Sequence, residues 1–261
     1  MRKTKIISLY SGSAGNATLV ISGGSAILID AGKSARSLSA AIRAAGFDVD
    51  KIDAIFITHE HTDHISALEV LLKKHNIPVH MTEQSADKIR LYPGSALSSK
   101  IVRHPPHFSV ELDGMRVSSF CTSHDSAMSV GYRVEIDGNE SYTFGIATDT
   151  GYVTDEMRDG LFGCDAVFIE SNHDVEMLLT GPYPAELKRR ILSRSGHLSN
   201  EDCAAFAAYL AKNGTKSFTL GHLSEENNTP SAALSAVRSA LSDFDGISVC
   251  AARADAETVI I

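Results

Sequence analysis

Between residues 58 and 64 the chain reads Thr-His-Glu-His-Thr-Asp-His, so His59, His61, Asp63 and His64 stand within six residues of one another. Imidazoles and carboxylates are the usual protein ligands of Zn, Mn and Fe. One histidine in a polar loop means little, but four donors at this density directly after an apolar stretch predict a metal site. In an extended segment residues two apart face the same way, so His59 and His61 can address one point. Asp63 and His64 fall at the start of a following helix and can address a second. Two metals a few ångströms apart, activating water and offsetting charge on a substrate, is the chemistry such a run can serve. Three further donors each follow an apolar strand: His124 after Met115–Phe120, Asp149 after Tyr142–Ile146 and His222 after Ser217–Leu220. Together with the cluster they can complete two coordination shells.

These donors need strands that end at a common edge. Lys5–Tyr10, Thr18–Ile21, Ala26–Ile29, Ile52–Ile57 and Asp165–Ile169 read as strands, and strands are dense from about 101 to 147, with turns at Asp113-Gly114 and Asp137-Gly138-Asn139. Ser22-Gly23-Gly24-Ser25 makes a hairpin of the second and third. Helices are expected at Ser37–Ala45, stopped by Gly46, and over 64–75, where Ile65, Leu68, Leu71 and Leu72 recur at helical spacing. Ser199 caps a helix with Cys203, Phe206, Ala207 and Leu210 on its apolar face, and Thr229-Pro230 opens another. Short strands near 247–250 and 257–261 close the chain. Strands followed by helices, twice over, predict two packed sheets with helices outside, an α/β (α+β) sandwich. No low-complexity linker divides the chain, so residues 1–261 read as one domain.

Composition sets the remaining bounds. The 261 residues are 43% hydrophobic and 21% charged, ordinary globular values that exclude a disordered chain, a collagen and a coiled coil. A net charge of −8 means that nucleic acid could be met only through a local basic patch. Pro184 fits a helix start, and Arg190 and Arg194, four apart, would share one flank of that helix, with Lys188 and Arg189 nearby. No stretch approaches a membrane span, and the first residues, Met1-Arg2-Lys3-Thr4-Lys5-Ile6-Ile7, do not read as an export signal, so a cytoplasmic protein is expected. Cys121, Cys164, Cys203 and Cys250 form no CxxC and read as small buried residues of a reducing compartment.

Three local features point toward the substrate. Ser11-Gly12-Ser13-Ala14-Gly15-Asn16 is a loop of small residues whose N–H groups can cradle an anion, with Ser13 and Asn16 as its polar members. Glu170-Ser171-Asn172-His173-Asp174 ends the strand Asp165–Ile169. Gly196-His197-Leu198-Ser199 repeats the pattern Gly221-His222-Leu223-Ser224 and puts His197 just before a helix N-terminus, where a phosphate pocket is expected.

In order along the chain, Asp30 in Ile-Asp-Ala-Gly, the His-x-His-x-Asp-His cluster, His124, Asp149 and His222 resemble the motifs of the metallo-β-lactamase superfamily, over essentially the whole length. The resemblance implies an αββα sandwich with a two-metal site at one edge. His59, His61 and His124 would hold the first metal, Asp63, His64 and His222 the second, with Asp149 bridging and Asp30 orienting a ligand imidazole. The loop at 11–16, the Glu-Ser-Asn-His-Asp run and the paired Gly-His-Leu-Ser motifs resemble the YycJ (WalJ) family of bacterial 5′-to-3′ DNA exonucleases. That implies a phosphodiesterase with two divalent ions (Zn, Mn or Fe), Asp63 and Asp149 in its catalytic centre, attack by a hydroxide shared between the metals, and His197 on a phosphate or leaving oxygen. Glu170, Asn172, Arg190 and Arg194 would serve the ligands or the substrate. Eukaryotic and archaeal relatives of the nucleic-acid-processing branch carry a large insertion after the Asp149 motif. Here residues 150–169 leave no room for such a cap. Rival functions are hydrolysis of thioesters, lactones or other small esters on the same metals, RNA processing, and a scaffold that has lost catalysis, whose mark would be missing ligands. The metal, oligomeric state and DNA-versus-RNA choice stay open at this level.

Overall fold

Hairpins begin each of two sheets and parallel crossovers finish them. In the computed structural model, which describes residues 4–138 and 141–261, the first sheet opens with β1 (Thr4–Tyr10), β2 (Ala17–Ser22) and β3 (Ser25–Ile29), with β1–β2 and β2–β3 antiparallel. It continues through α1 (Ala35–Ala44), β4 (Ala54–Phe56), α2 (Thr62–Ile65), α3 (Leu68–Leu72), β5 (Val79–Thr82), α4 (Glu83–Lys88) and β6 (Ile101–His104), with β3 to β6 parallel. The second sheet opens with the antiparallel strands β7 (Ser109–Leu112), β8 (Met115–Cys121), β9 (Val130–Ile136) and β10 (Tyr142–Ala147). After α5 (Asp155–Leu161) come β11 (Ala166–Glu170), α6 (Val175–Thr180), α7 (Ala185–Ile191), α8 (Asn200–Lys212), β12 (Ser217–Gly221), α9 (Pro230–Ala240) and β13 (Ser248–Ala251), with β10 to β13 parallel. Finally β14 (Thr258–Val259) crosses back to pair with β1. The strand orders are β14-β1-β2-β3-β4-β5-β6 and β13-β12-β11-β10-β9-β8-β7.

Three apolar layers hold this together. Ile6, Val20, Ile27 and Phe56 meet Val117, Tyr132, Val134, Phe144 and Phe168 between the sheets. Leu38, Ile42, Leu68 and Leu71 cover the outside of the first sheet, and Met157, Leu161, Phe206, Leu210 and Val237 the outside of the second. Each such side chain, fully buried, stabilises the fold by about 1.5–3 kcal/mol. Strands covered on both faces have no polar side to show, so β3, β4 and β11 are buried at every residue.

The expected strand Ile52–Ile57 is shorter, since Val49–Lys51 forms a 3₁₀ turn and pairing begins only at Ala54. The expected helix over 64–75 is two short helices. Ala31 N–H donates to His64 C=O and Ala67 N–H donates to Ala31 C=O, so the loop after β3 takes hydrogen bonds a continuous helix would have used. Arg194 does not share a helix flank with Arg190, because α7 ends at Ile191 and Leu192 is its C-cap. β5, α4, α5 and α6 lie where no element was expected. The reading of Met1–Lys3 and the Asn139 end of one expected turn fall outside the described residues. Among the described residues no helix is long and apolar enough to cross a membrane. All four cysteines are free; Cys164 and Cys203 are buried, and Cys121 and Cys250 only half so.

Candidate metal centre

Strand direction brings the donors together. β8 runs antiparallel to β9, and β9 to β10, so β8 points the same way as β10, β11 and β12. Their carboxyl ends carry His124, Asp149, Glu170 and His222. Across the sandwich, β3 and β4 end at Asp30 and at the His59–His64 run. Two bonds tie the sheets beneath this edge: Tyr132 Oη donates to Ile57 C=O (2.5 Å) and Val130 N–H to Thr58 C=O (3.1 Å).

Asp30, Asp149 and His222 all have positive φ, at 62°, 56° and 54°. A side chain in the left-handed region costs of order 1–3 kcal/mol, and such strain gathers at functional sites. Here it turns three polar side chains sharply off strand ends toward one point.

Two groups of donors result. The ligand atoms of His59, His61 and His124 lie within 4.8 Å of one another, as do those of Asp63, His64 and His222. Asp149 stands between them, with Oδ2 3.3 Å from His64 Nε2 and Oδ1 3.8 Å from His124 Nε2. Around both groups an outer ring of acceptors fixes the imidazoles. His64 Nδ1 donates to Asp30 Oδ2 (2.8 Å), His222 Nδ1 to Glu170 Oε1 (2.8 Å) and His124 Nδ1 to Gly196 C=O (3.1 Å). Each of these bonds leaves Nε2 facing inward, the arrangement ligating histidines generally adopt.

The electrostatics follow from burial and crowding. Burial pushes His59 well below the usual imidazole range, assisted by neighbouring His64, so its ring is neutral. Burial opposes charge on His64 and His222 too, but Asp30 and Asp149 for the first, and Asp149, Asp63 and Glu170 for the second, carry both well above that range. Asp149 resists burial through His222 and His64 and stays well below the usual carboxylate range. Glu170 likewise overcomes burial through His197 and His222, at about 2. Three inward atoms, His59 Nε2, Asp149 Oδ2 and His222 Nε2, are buried without a hydrogen-bond partner. Leaving such groups unpaired is costly; a cation would satisfy the lone pairs of His59 Nε2 and Asp149 Oδ2 directly, and that of His222 Nε2 by displacing the proton the surrounding carboxylates otherwise hold there. The donor set, all nitrogen and oxygen, fits divalent metal ions.

The substrate side differs from expectation in several places. Asn16 is buried and serves the cluster: its Nδ2 donates to Asp63 Oδ2 (3.2 Å) and sits 3.1 Å from His64 Nε2. The N–H groups of Gly12, Gly15 and Asn16 are spent on Asn16 Oδ1, Gly12 C=O and Asp63 C=O, so this part of the loop braces Asp63 instead of cradling an anion. Ser13 is exposed and lines a pocket with Asn172, Tyr183, Arg190, His197 and Ser224. Asn172 is buried, and its Nδ2 donates to His222 C=O (2.9 Å). His197 is set by Glu170 Oε1, 2.7 Å from its Nδ1, which raises its pKa despite burial. The α8 N-terminus does not place it, because Asn200 N–H donates to His173 C=O and Asp202 N–H to Ser199 Oγ. Arg190 lies 2.5 Å from Asp125 Oδ2, and Arg194 stacks on Tyr152 with its guanidinium 3.8 Å from the ring centre.

The model of the beta-lactamase superfamily domain matches residues 25–222. Exodeoxyribonuclease YycJ of Bacillus anthracis is 37% identical over 220 residues, 84% of this chain and 82% of that one. Exodeoxyribonuclease WalJ of Streptococcus pneumoniae is 38% identical over 222 residues, 84% and 81%. This chain belongs to the YycJ/WalJ family of the metallo-β-lactamase superfamily. The fold agrees: the metallo-β-lactamase fold protein YhfI from Bacillus subtilis superposes with a TM-score of 0.73 at 16% identity, covering 99% of this chain and 100% of that one.

In this family member the sequence motifs missed three residues that shape the centre. Thr58 Oγ1 sits between Asp30 (3.0 Å from Oδ2) and the Nδ1 atoms of His59 (3.1 Å) and His64 (3.2 Å). Ser11 Oγ accepts from His222 N–H (2.8 Å) across 211 residues of sequence. Asp125 places Oδ1 3.3 Å from His124 Nε2 while holding Arg190. Adjacency to His59 and His124 was the signal for the first and last; Ser11 opens the small-residue loop at 11–16, but no spacing pointed to its bond with His222.

Proposed function

We propose that this chain is a metal-dependent phosphodiesterase that removes nucleotides from DNA, working from the 5′ end. The observation that carries the hydrolytic part is the pair of three-donor groups on either side of Asp149, with buried, unpartnered Nε2 and carboxylate atoms aimed between them. Relatives named exodeoxyribonuclease, alike over 84% of the chain, support DNA as the substrate. The 5′-to-3′ direction rests on the family resemblance.

His59, His61 and His124 would hold one ion and Asp63, His64 and His222 a second, with Asp149 shared; Zn, Mn and Fe all suit these donors. Divalent ions in such a site make water a nucleophile near neutral pH and offset charge building on a phosphate. The chain's own residues do the rest. Asp30, Glu170 and the Gly196 carbonyl hold three imidazoles in one tautomer. His197, raised in pKa by Glu170, turns its Nε2 to the pocket, where it donates to a phosphate oxygen or to the departing oxygen. Arg190 lines the same pocket and faces the backbone beyond the scissile phosphate.

The test is incubation with duplex DNA labelled at either end, duplex RNA and a thioester panel, each with Mn and with Zn. Progressive release of mononucleotides from the 5′ end of DNA supports the proposal. Turnover of thioesters with intact DNA would replace it by a small-ester hydrolase, and preference for RNA by an RNA-processing enzyme.

A further inference from the structure

Away from the centre just described, His107, Cys121 and Glu156 meet at the surface with one donor atom each, all within 4.8 Å. They come from three separate segments: the turn between β6 and β7, the last residue of β8, and the first turn of α5. His107 Nε2 lies 4.0 Å from Cys121 Sγ and 3.7 Å from Glu156 Oε2. Tetrahedral zinc bonds of about 2.0–2.3 Å would place such pairs about 3.3–3.6 Å apart, so small side-chain movements suffice.

The backbone prepares this meeting. Glu156 Oε2 accepts from Cys121 N–H (2.8 Å), and Thr154 Oγ1 donates to Cys121 C=O (3.4 Å). On the other side, Ser119 Oγ accepts from Phe108 N–H (2.9 Å) and donates to Pro106 C=O (2.8 Å), which pins the turn on both flanks of His107. The His107 and Glu156 side chains remain open to solvent, at 64% and 47% exposure, so an ion can enter and keep water as a fourth ligand. A thiolate and a carboxylate together carry two negative charges, and a divalent cation matches them.

We propose that His107, Cys121 and Glu156 form a separate surface site for one borderline-soft divalent cation, of the zinc class. Binding deprotonates the thiol, and the proton goes to solvent. The sulfur ligand sets the selectivity: it favours Zn, Co and Cd and disfavours Mn and Mg. The all-nitrogen-and-oxygen centre has no such bias. Cys121 precedes His124 by three residues, so an ion here also clamps the root of the loop that carries His124.

Co(II) titration of the full chain tests this, because a thiolate bound to Co(II) gives a near-ultraviolet charge-transfer band that histidine and carboxylate ligands cannot give. The wild type should show the band. Cys121→Ser and His107→Ala should lose it, and His61→Ala, altered only in the other centre, should keep it. At equal free Zn, Cys121→Ser should bind one equivalent less than wild type, whereas bound Mn should be unchanged. Glu156→Gln keeps an acceptor for Cys121 N–H and should weaken the band without loss of helical circular dichroism. No band at saturating Co(II), a band that survives Cys121→Ser, or one lost with His61→Ala would overturn the proposal. None of these outcomes bears on whether the protein cuts DNA.

Discussion

Asp149 has to satisfy two demands, a negative charge between the donor groups and a left-handed backbone. Asparagine meets the second and fails the first, because Asn tolerates positive φ but its amide is neutral. Asp149→Asn should therefore keep the thermal midpoint within a few degrees while DNA hydrolysis falls at least about a hundredfold. Activity within about tenfold of wild type would show that Asp149 does not join the two groups. Glu170 makes a different case. It accepts from His197, His222, Thr150 N–H and Leu198 N–H, so it sets two ring tautomers at once. Both rings share Oε1 and both backbone N–H groups share Oε2, so in Glu170→Gln the amide N–H₂ must face either the two imidazoles or the two N–H donors. Outer partners of this kind are worth about 10–100-fold in metal affinity. Competition against a metal indicator should read a loss of that size, with the native fold retained.

Among the elements, the parallel strands β4, β5 and β6 carry three rings of a stacked row that Phe108, just before β7, completes. Phe56, His80, His104 and Phe108 follow one another at 4.9, 5.1 and 4.1 Å between centroids. His80 Nδ1 and His104 Nε2 are 2.9 Å apart, so one ring donates and the other accepts, a bond that is lost when both are protonated. Burial, then His104, brings the His80 pKa down to about 4. The unfolded chain takes up this proton more readily, so the stabilisation is complete above about pH 6.5 and declines as pH falls toward 4. Its ceiling is about 3 kcal/mol, at 1.36 kcal/mol per pH unit. His80→Gln should be less stable at pH 7 yet lose less between pH 7 and 4.5, read from urea midpoints; equal slopes would remove His80 as the cause. Gly32, in the Asp-Ala-Gly turn after β3, is constrained by space. A Cβ there would stand 2.0 Å from Asp63 C=O and 2.4 Å from Asn16 N, both backbone atoms. Gly32→Ala should push the loop at 11–16 away from α2 and release Asp63, lowering metal content and thermal midpoint together.

For the whole molecule, a charge of −8 means that DNA must be held locally. Arg190 is half exposed beside the pocket and Arg194 lies flat on Tyr152, so the two should separate on mutation. Arg190→Ala should weaken duplex binding and reduce the slope of log K against log salt by about 1, at roughly 0.9 per lost contact. A small chromogenic phosphodiester should be turned over almost as before. Arg194→Ala should leave the slope unchanged and lower stability instead. An unchanged slope in Arg190→Ala would place the strand on another face.

Donor identity and local spacing are properties of the chain itself. His-x-His-x-Asp-His is compact enough for strand and helix periodicity to aim its members at two points, and β3 and β11 announce themselves because a strand covered on both faces must be mainly apolar. Convergence is another matter. Asp30, His124, Asp149 and His222 are tens of residues apart, and whether they meet depends on which strands run parallel, a choice made by pairing and crossover and not by any one segment. Asn16 could cradle an anion or brace Asp63, and Arg194 could meet DNA or Tyr152; composition permits both, and only the neighbours decide. For the same reason Ser11 at the backbone of His222, and the meeting of His107, Cys121 and Glu156, left no trace in sequence: hydrogen bonds and ligand contacts form across space, and a linear pattern records only what one strand or one helix turn can hold.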